Sequence, residues 1–425
     1  MLKYFWQLWH SEDLRKRILI TIFILILYRV VAHIPIPGTD PFALRQFLDS
    51  RGGTGVLGVF AALTGGSLDN FSIVLLGLSP YINASIILQL CTVIFPRLEA
   101  LSKEGISGQQ VINRYTRLIT VPLAFVQSYG FLILLKRGGA DLIDLSFPHV
   151  LIPMMLVTAG SVILMWMGEL ITEKGISNGS SLIIFTGIVA DMPATLSSLF
   201  LAGQGKLGAF YLFAAVSILM LIAVVLFTDA HRLIPITYAN QGAGRGVAGG
   251  IPIRINQAGM IPIIFAVSLI TLPAIVAQFL QTAPRFQRLV GMVTTYMNPQ
   301  NPSFVYMAVY FLLVVAFTYF YVSVTFRPTE VAESIQKRGG FIPGIRPGKQ
   351  TADVLARTSS RLNLWGGLFL GAVAIIPLIF TTYSTLSSAD LLISGSGLII
   401  VVGVVMDLIR QINAQMLAHD YEKLV

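Results

Sequence analysis

Residues 304–326 read FVYMAVYFLLVVAFTYFYVSVTF, and residues 327–361, which follow directly, read RPTEVAESIQKRGGFIPGIRPGKQTADVLARTSSR. The first stretch carries no charged side chain, whereas the second carries seven basic and three acidic ones. A helix of about 20 apolar residues crosses a hydrocarbon core of roughly 30 Å. The pair therefore predicts a membrane-spanning helix that leads into a long, charged segment on one side of the membrane.

The whole chain has the composition of a membrane protein. Of its 425 residues, 55% are hydrophobic and 12% are charged, and the mean hydropathy is +0.77. A soluble domain would have about 25% charged residues. Because a backbone in lipid must satisfy its own hydrogen bonds, long apolar runs are expected to be helices. We therefore predict an all-α polytopic membrane protein.

Ten apolar segments are long enough to span a membrane, and an even number places both termini on one side. If the termini share a side with the loops at 96–114, 169–181, 229–256 and 327–361, that side holds 21 of the 29 Lys and Arg residues. The positive-inside rule makes it the cytoplasm. The predicted spans cover roughly 17–35, 70–95, 115–135, 150–168, 182–201, 208–228, 257–280, 304–326, 363–383 and 391–409.

The spans divide into two halves of five, residues 1–202 and 203–425. An odd number of spans in each half makes the halves inverted relative to each other, as in many transport proteins. Pro80 and Pro273, each in the second span of its half, give this repeat partial support. We predict two pseudo-symmetric inverted halves.

Two segments on the basic side are longer than orientation requires. Residues 229–256 are rich in Gly, and residues 327–361 contain two Pro-Gly pairs. Long loops without obvious structure are typically functional or disordered, and basic projecting loops suit an acidic or RNA-containing partner. A basic face also follows from membrane topology alone, so both interpretations stay open for each loop.

Residues 54–70, TGVLGVFAALTGGSLDN, are apolar enough to enter the membrane but too short to cross it before Gly65-Gly66. A half-inserted helix is one interpretation, since irregular backbone is tolerated where it lies in protein or a cavity. An amphipathic helix on the outer surface is the other.

The sequence shows no catalytic set. It has no HExxH, GxSxG or Walker motif, Cys91 is the only cysteine, and the five histidines lack metal-ligand spacing. We expect no metal and no cofactor. Asp191 and Glu169 are ionisable residues in predicted spans, which are often functional, but their positions near span ends favour solvated or interface roles.

Uncharged polar residues in the apolar spans allow two readings. Asn83, Gln89, Gln127, Asn256 and Gln257 are of this kind. Such groups usually bond across helix interfaces at about 1 kcal/mol or less. They are either structural links between helices or members of an interface that opens and closes.

Five stretches are similar to one family, in order along the chain. They are GLSPYINASIILQL (77–90), MWMGELITEKGISNG (165–179), INQAGMIPIIFA (255–266), RPTEVAESIQKRGGFIPGIRPGKQT (327–351) and IIVVGVVMDLIRQI (399–412). They resemble SecY, the family of central subunits of the bacterial protein-conducting channel. The span count and loop sizes agree with it. Asp191 and Met192 depart from the small, uncharged pair common at that place in the family.

The resemblance implies an hourglass pore closed near the midplane by a ring of aliphatic side chains. Motif matching assigns the ring to Leu78, Ile82, Ile184, Ile264 and Ile400. Such a ring can exclude water and block ions, yet deform around a passing chain.

The resemblance also implies a plug and a lateral gate. The plug is a helix at 54–70 that seals the outer funnel, and its members would be Phe60, Leu63, Gly65, Gly66 and Leu68. The second and seventh spans would form the gate, through which signal sequences and transmembrane segments reach lipid. Its polar residues would be Asn83, Gln127 and Asn256.

Partners follow from the same resemblance. The loops 229–256 and 327–361 would dock the ribosome and the motor ATPase SecA, with Arg346 of GIRPG the foremost candidate. The other docking residues would be Arg245, Arg254, Lys337, Arg338, Lys349 and Arg357. SecE and SecG would be small membrane subunits beside this chain in a bacterial plasma membrane.

The implied function is a passive channel for unfolded secretory polypeptides, driven by SecA or a translating ribosome, and not an enzyme. A secondary transporter would share the inverted repeats, but it needs a midplane binding site and has no use for a long basic loop. An intramembrane hydrolase would need a nucleophile or a metal pair that the sequence lacks.

Overall fold

The computed structural model describes residues 11–37, 71–137, 149–202, 207–238, 249–280, 286–297, 302–383 and 395–422. These residues contain thirteen helices and three short strands. The helices are α1 (Glu12–Val31), α2 (Ser79–Ile94), α3 (Pro96–Lys103), α4 (Ile106–Arg137), α5 (Leu151–Lys174), α6 (Gly179–Ala202), α7 (Leu207–Asp229), α8 (Ile261–Leu280), α9 (Gln287–Tyr296), α10 (Phe304–Thr325), α11 (Pro328–Lys337), α12 (Lys349–Tyr383) and α13 (Gly395–Glu422). The strands are β1 (His231–Tyr238), β2 (Gly249–Arg254) and β3 (Gly340–Phe341).

Each of the ten predicted spans overlaps one helix of the described chain. These helices are α1, α2, α4, α5, α6, α7, α8, α10, α12 and α13. By length and composition alone, five helices among the described residues could cross a membrane, or six if α2 and α3 count as one bent span. The described apolar parts of α6, α7 and α8 are shorter than that criterion requires.

Prolines and local conformation set several helix ends. Pro80 lies in the first turn of α2, where its missing N–H is no loss. Phe95, which precedes Pro96, is extended at φ −101° and ψ 115°, as expected for a residue before proline. The chain turns there, and α3 leaves α2 at 103°.

Two buried apolar clusters hold the helices together. One joins α2, α7, α8, α10, α12 and α13, and includes the edge-to-face pair Phe265–Phe317. The other joins α1, α2, α5, α6, α8 and α13. A Cβ on Gly179 would overlap the Gly168 carbonyl, so the close approach of α6 to α5 requires glycine at this position.

The described parts of the two long basic segments contain strands and helices. The strands form one sheet in the order β2-β1-β3, with His231 opposite Arg254 and Thr237 opposite Phe341, both pairs antiparallel. We call β1, β2, α11, β3 and residues 349–362 of α12 the sheet unit. Its own core contains Ile234, Ile236, Ile253, Ala332, Ile335, Ile342, Ala352 and Leu355. The described parts of both segments are therefore folded into one unit, although their sequence showed no obvious structure.

Candidate functional site

The five residues predicted to form the pore ring lie together. Leu78, Ile184, Ile264 and Ile400 are each at most 6% exposed and belong to one buried cluster, against which Ile82 packs. We call these five residues the ring cluster. They come from the start of α2, from α6, from α8 and from α13, and therefore from both halves of the chain. The structure thus brings together residues more than 300 positions apart.

A turn before α2 places the first member of the ring cluster. Gly77 has a φ of +55°, which favours glycine, and Leu78 follows as the N-cap residue of α2. Ile82 then lies one helical turn later, and its N–H donates to the Leu78 carbonyl at 2.9 Å. Both side chains therefore reach the same cluster from one end of α2. Closure of a pore by these side chains stays a prediction.

The two helices predicted to form the lateral gate are in contact. α2 packs against α8, and Ile86 of α2 lies in one buried cluster with Ile263 and Phe265 of α8. The contact between these two helices is apolar, and their action as a gate stays a prediction.

The predicted polar gate residues do not pair with one another within the described chain. Asn256 is buried, but its Oδ1 accepts a hydrogen bond from the Gly259 N–H at 2.9 Å and so stabilises the turn before α8. Asn83 is half-buried on α2. The Oε1 atom of Gln127 is buried, and the described residues offer it no hydrogen-bond partner. A shared role in gating stays a prediction.

An ion pair that the sequence did not reveal links α4 and α5. The Nε atom of Arg117 lies 2.7 Å from the Oε1 atom of Glu169, and the two side chains are 51% and 21% exposed. The interpretation of Glu169 as an interface residue agrees with this contact. The side chain of Asp191 lies outside what the structure describes.

The docking candidates within the described residues lie on the surface of the sheet unit. Arg338, Arg346, Lys349 and Arg357 are exposed, and the described chain gives none of them an ion-pair partner. Lys337 has only a distant contact, 3.9 Å, with Glu333. Arg245 and the predicted plug residues at 54–70 lie outside the described residues.

Turn geometry holds Arg346 outward. Gly344 and Gly348 have φ values of +79° and +99°, which bend the chain on both sides of Arg346. Ile342 enters the core of the sheet unit and Ile345 packs against it. The Thr351 hydroxyl donates to the Arg346 carbonyl at 3.1 Å. The backbone is thus anchored while the guanidinium faces solvent.

Charged residues also lie where the sheet unit meets the helices, at the end of α7 and on α13. Arg410 of α13 donates to the Thr228 carbonyl at 2.6 Å and lies 3.5 Å from Asp229, both at the end of α7. Partial burial, and then the charge of Arg410, lower the pKa of the Arg254 guanidinium. The motif DLIRQI contains Arg410, but only the fold reveals its partners.

Comparisons with known proteins point to one family. The SecY family model matches residues 72–409. The protein translocase subunit SecY of Thermus thermophilus is 42% identical over 434 aligned residues, which cover 99% of this chain and 97% of that protein. The subunit of the same name from Streptomyces galbus is 39% identical, with 99% of each chain covered.

Solved structures share the fold. A protein-conducting channel superposes with a TM-score of 0.66 at 18% identity, over 95% of this chain and 93% of that one. Sec61 in the canine ribosome–channel complex superposes with a TM-score of 0.62 at 18% identity, over 94% and 92%. The prediction of a ten-span helical channel fold is therefore confirmed. Because the family model matches well over half of the chain and the relatives align with 99% of it, this protein belongs to the SecY family.

Proposed function

We propose that this chain is the channel-forming subunit of a bacterial protein translocase. Unfolded polypeptides cross the membrane through it, and transmembrane segments leave it sideways into lipid. The observation that carries the proposal is the convergence of five branched aliphatic side chains from both halves of a SecY-family chain. Because these side chains offer no hydrogen bonds or charge to a substrate, they can seal against ions without binding a passing chain.

The chain itself catalyses no covalent step in this proposal, so energy comes from a partner. The sheet unit presents exposed basic side chains that have no ion-pair partner among the described residues, and basic surfaces attract acidic or RNA-containing partners. SecA and the ribosome fit that chemistry. One structural relative, Sec61, was solved in a ribosome–channel complex, which supports the ribosome as one of the two.

The remaining elements complete the proposal. Residues 54–70, with Phe60, Leu63, Gly65, Gly66 and Leu68, act as the plug, and α2 and α8 act as the lateral gate. The polar residues of the lateral gate are Asn83, Gln127 and Asn256. SecE and SecG flank the chain in the plasma membrane, and the sheet unit faces the cytoplasm together with both termini.

Reconstitution tests this function. Vesicles containing this chain and its small subunits are given SecA, ATP and an unfolded preprotein, and protease protection of the preprotein is measured. We expect protection only with ATP and with a functional signal sequence. Uptake of a small solute driven by an ion gradient, without preprotein protection, would instead identify a secondary transporter.

A further inference from the structure

An arginine hydrogen bond connects two short helices outside the predicted spans. The Nη2 atom of Arg327, just before α11, donates to the backbone carbonyl of Ser102 in α3 at 3.0 Å. The Nη1 atom of the same guanidinium pairs with Glu330 at 2.8 Å. The two ends of the Arg327–Ser102 bond lie 225 positions apart in the sequence. One side chain thus bridges the N-terminal and C-terminal halves.

Arg327 is poorly suited to its own helix. It is the N-cap residue of α11 and makes no side-chain capping bond there. That position favours Ser, Thr, Asp or Asn, and a positive charge is unfavourable at a helix N-terminus. Glu330 in the first turn offsets part of this cost. The local preference of α11 therefore does not explain the arginine.

The end of α3 does explain it. Ser102 is in the last turn of α3, where backbone carbonyls lack donors from their own helix. A guanidinium that donates to such a carbonyl also complements the negative end of the helix dipole. The guanidinium of Arg327 therefore suits the end of α3 better than the start of α11.

The position of this bond in the fold gives it meaning. α3 follows α2 after the single residue Phe95, and Arg327 follows the end of α10 after Phe326. α2 and α10 each pack against α8, and all three helices contribute side chains to one buried apolar cluster. The bond consequently ties the end of one gate helix, α2, to the end of the helix that supports the other.

We propose that Arg327 is a latch on the lateral gate and sets how strong a signal sequence must be to open it. This inference rests on the proposed channel function. The Arg327–Ser102 bond opposes separation of α3 from the start of α11, and therefore of α2 from α10 at this end. A strongly apolar signal sequence supplies enough binding energy to break the bond, whereas a defective one does not. Arg327 is thus a specificity-determining residue that contacts no substrate.

The test compares two preproteins, one with an intact signal sequence and one with a charged residue in its apolar core. Translocation of each preprotein into vesicles supplied with SecA is measured. The result is expressed as the amount of defective preprotein translocated divided by the amount of intact preprotein translocated. Loss of one partly exposed, charge-assisted hydrogen bond should change this ratio by roughly threefold to tenfold. We therefore expect Arg327→Gln to raise the ratio by that factor. Arg327→Lys, which keeps the charge but not the forked geometry, should give an intermediate ratio.

Arg361→Gln is the matched control. Arg361 is an exposed cation on α12, and the described residues show no contact between it and α3, so its ratio should equal that of the unmodified chain. A ratio unchanged in both Arg327 variants overturns the latch. Equal loss of both substrates also overturns it, because that result assigns Arg327 to partner docking. If the unmodified chain translocates neither preprotein, the proposed function itself has failed, and the latch fails with it.

Discussion

The ring cluster and the core of the sheet unit are made of the same kinds of side chain, yet their backbones differ. The ring cluster draws its side chains from helices, whose backbone hydrogen bonds run inside each helix. In the sheet unit, Ile234 and Ile236 lie on β1, which is bonded to both neighbouring strands. Helices can therefore separate without breaking backbone bonds, whereas the strands cannot. Identical packing chemistry suits an opening seal in one region and a fixed platform in the other.

The largest expected effect is on the stability of the sheet unit. Leu355 is fully buried in the core of the sheet unit, so Leu355→Ala should destabilise that unit by about 2–5 kcal/mol. Hydrogen exchange in detergent should show faster exchange for amides in β1 and β2, with α5 and α6 unchanged. Leu362→Ala, at a half-buried position beside the same core, should have a smaller effect. Equal exchange in the sheet unit of both variants would contradict its description as a separately packed core.

The next prediction changes the surface of the sheet unit and leaves its core intact. Arg346→Glu places a negative charge where the backbone turn holds a solvent-facing guanidinium. We expect SecA-dependent translocation to fall by about tenfold or more, because a reversed charge repels an acidic partner. The sheet unit should stay folded, as measured by hydrogen exchange. Arg361→Glu is the control, and normal translocation by Arg346→Glu would remove this residue from docking.

A third change concerns the ring cluster. Replacing Ile82 and Ile400 together by Ser makes the cluster more polar and smaller, so water should enter it more easily. We expect the ion conductance of planar bilayers without substrate to rise several-fold. The reason is that two apolar side chains that keep water out of the cluster have been removed. Ile87→Ser on the exposed face of α2 is the comparison. An unchanged conductance would exclude Ile82 and Ile400 from the seal.

The smallest expected effect concerns the ion pair between α4 and α5. Since the Arg117 side chain is half exposed, Arg117→Gln should cost less than about 1 kcal/mol. The thermal unfolding midpoint in detergent should fall by only a degree or two, and translocation should be unchanged. A large loss of translocation would mean that Arg117 acts in the channel and not in packing.

Hydropathy was sufficient for the helices and insufficient for the sheet unit. Each predicted span overlaps one helix because length and apolarity decide whether a segment crosses lipid. The first part of α12, residues 349–362, is polar and charged, so hydropathy placed it in a loop although it is helical. Strand β3 has two residues and pairs with Thr237 and Tyr238, about a hundred positions away. No local pattern encodes such a pairing.

The candidate site divides in the same way. An isoleucine such as Ile264 or Ile400 cannot be distinguished by its own chemistry from the many others in apolar helices. Only the surrounding motif selected these residues, and the fold brought them together. For Asn256 the sequence favoured an interhelical role, but its side chain stabilises its own turn, since its Oδ1 accepts a hydrogen bond from the Gly259 N–H. Long-range polar contacts, such as that of Arg410 with Thr228, required coordinates.

The length of α12 has a mechanical consequence. Its 35 residues run without a break from the core of the sheet unit into the apolar helix cluster. The segment before the predicted span is an arm of roughly 20 Å, at 1.5 Å per residue. A tilt of about 10° around the membrane end would carry Lys349 through about 3.5 Å for this arm length. Because α12 packs against α10 and α13 within the helix cluster, the orientation of the sheet unit is coupled geometrically to the packing of these helices.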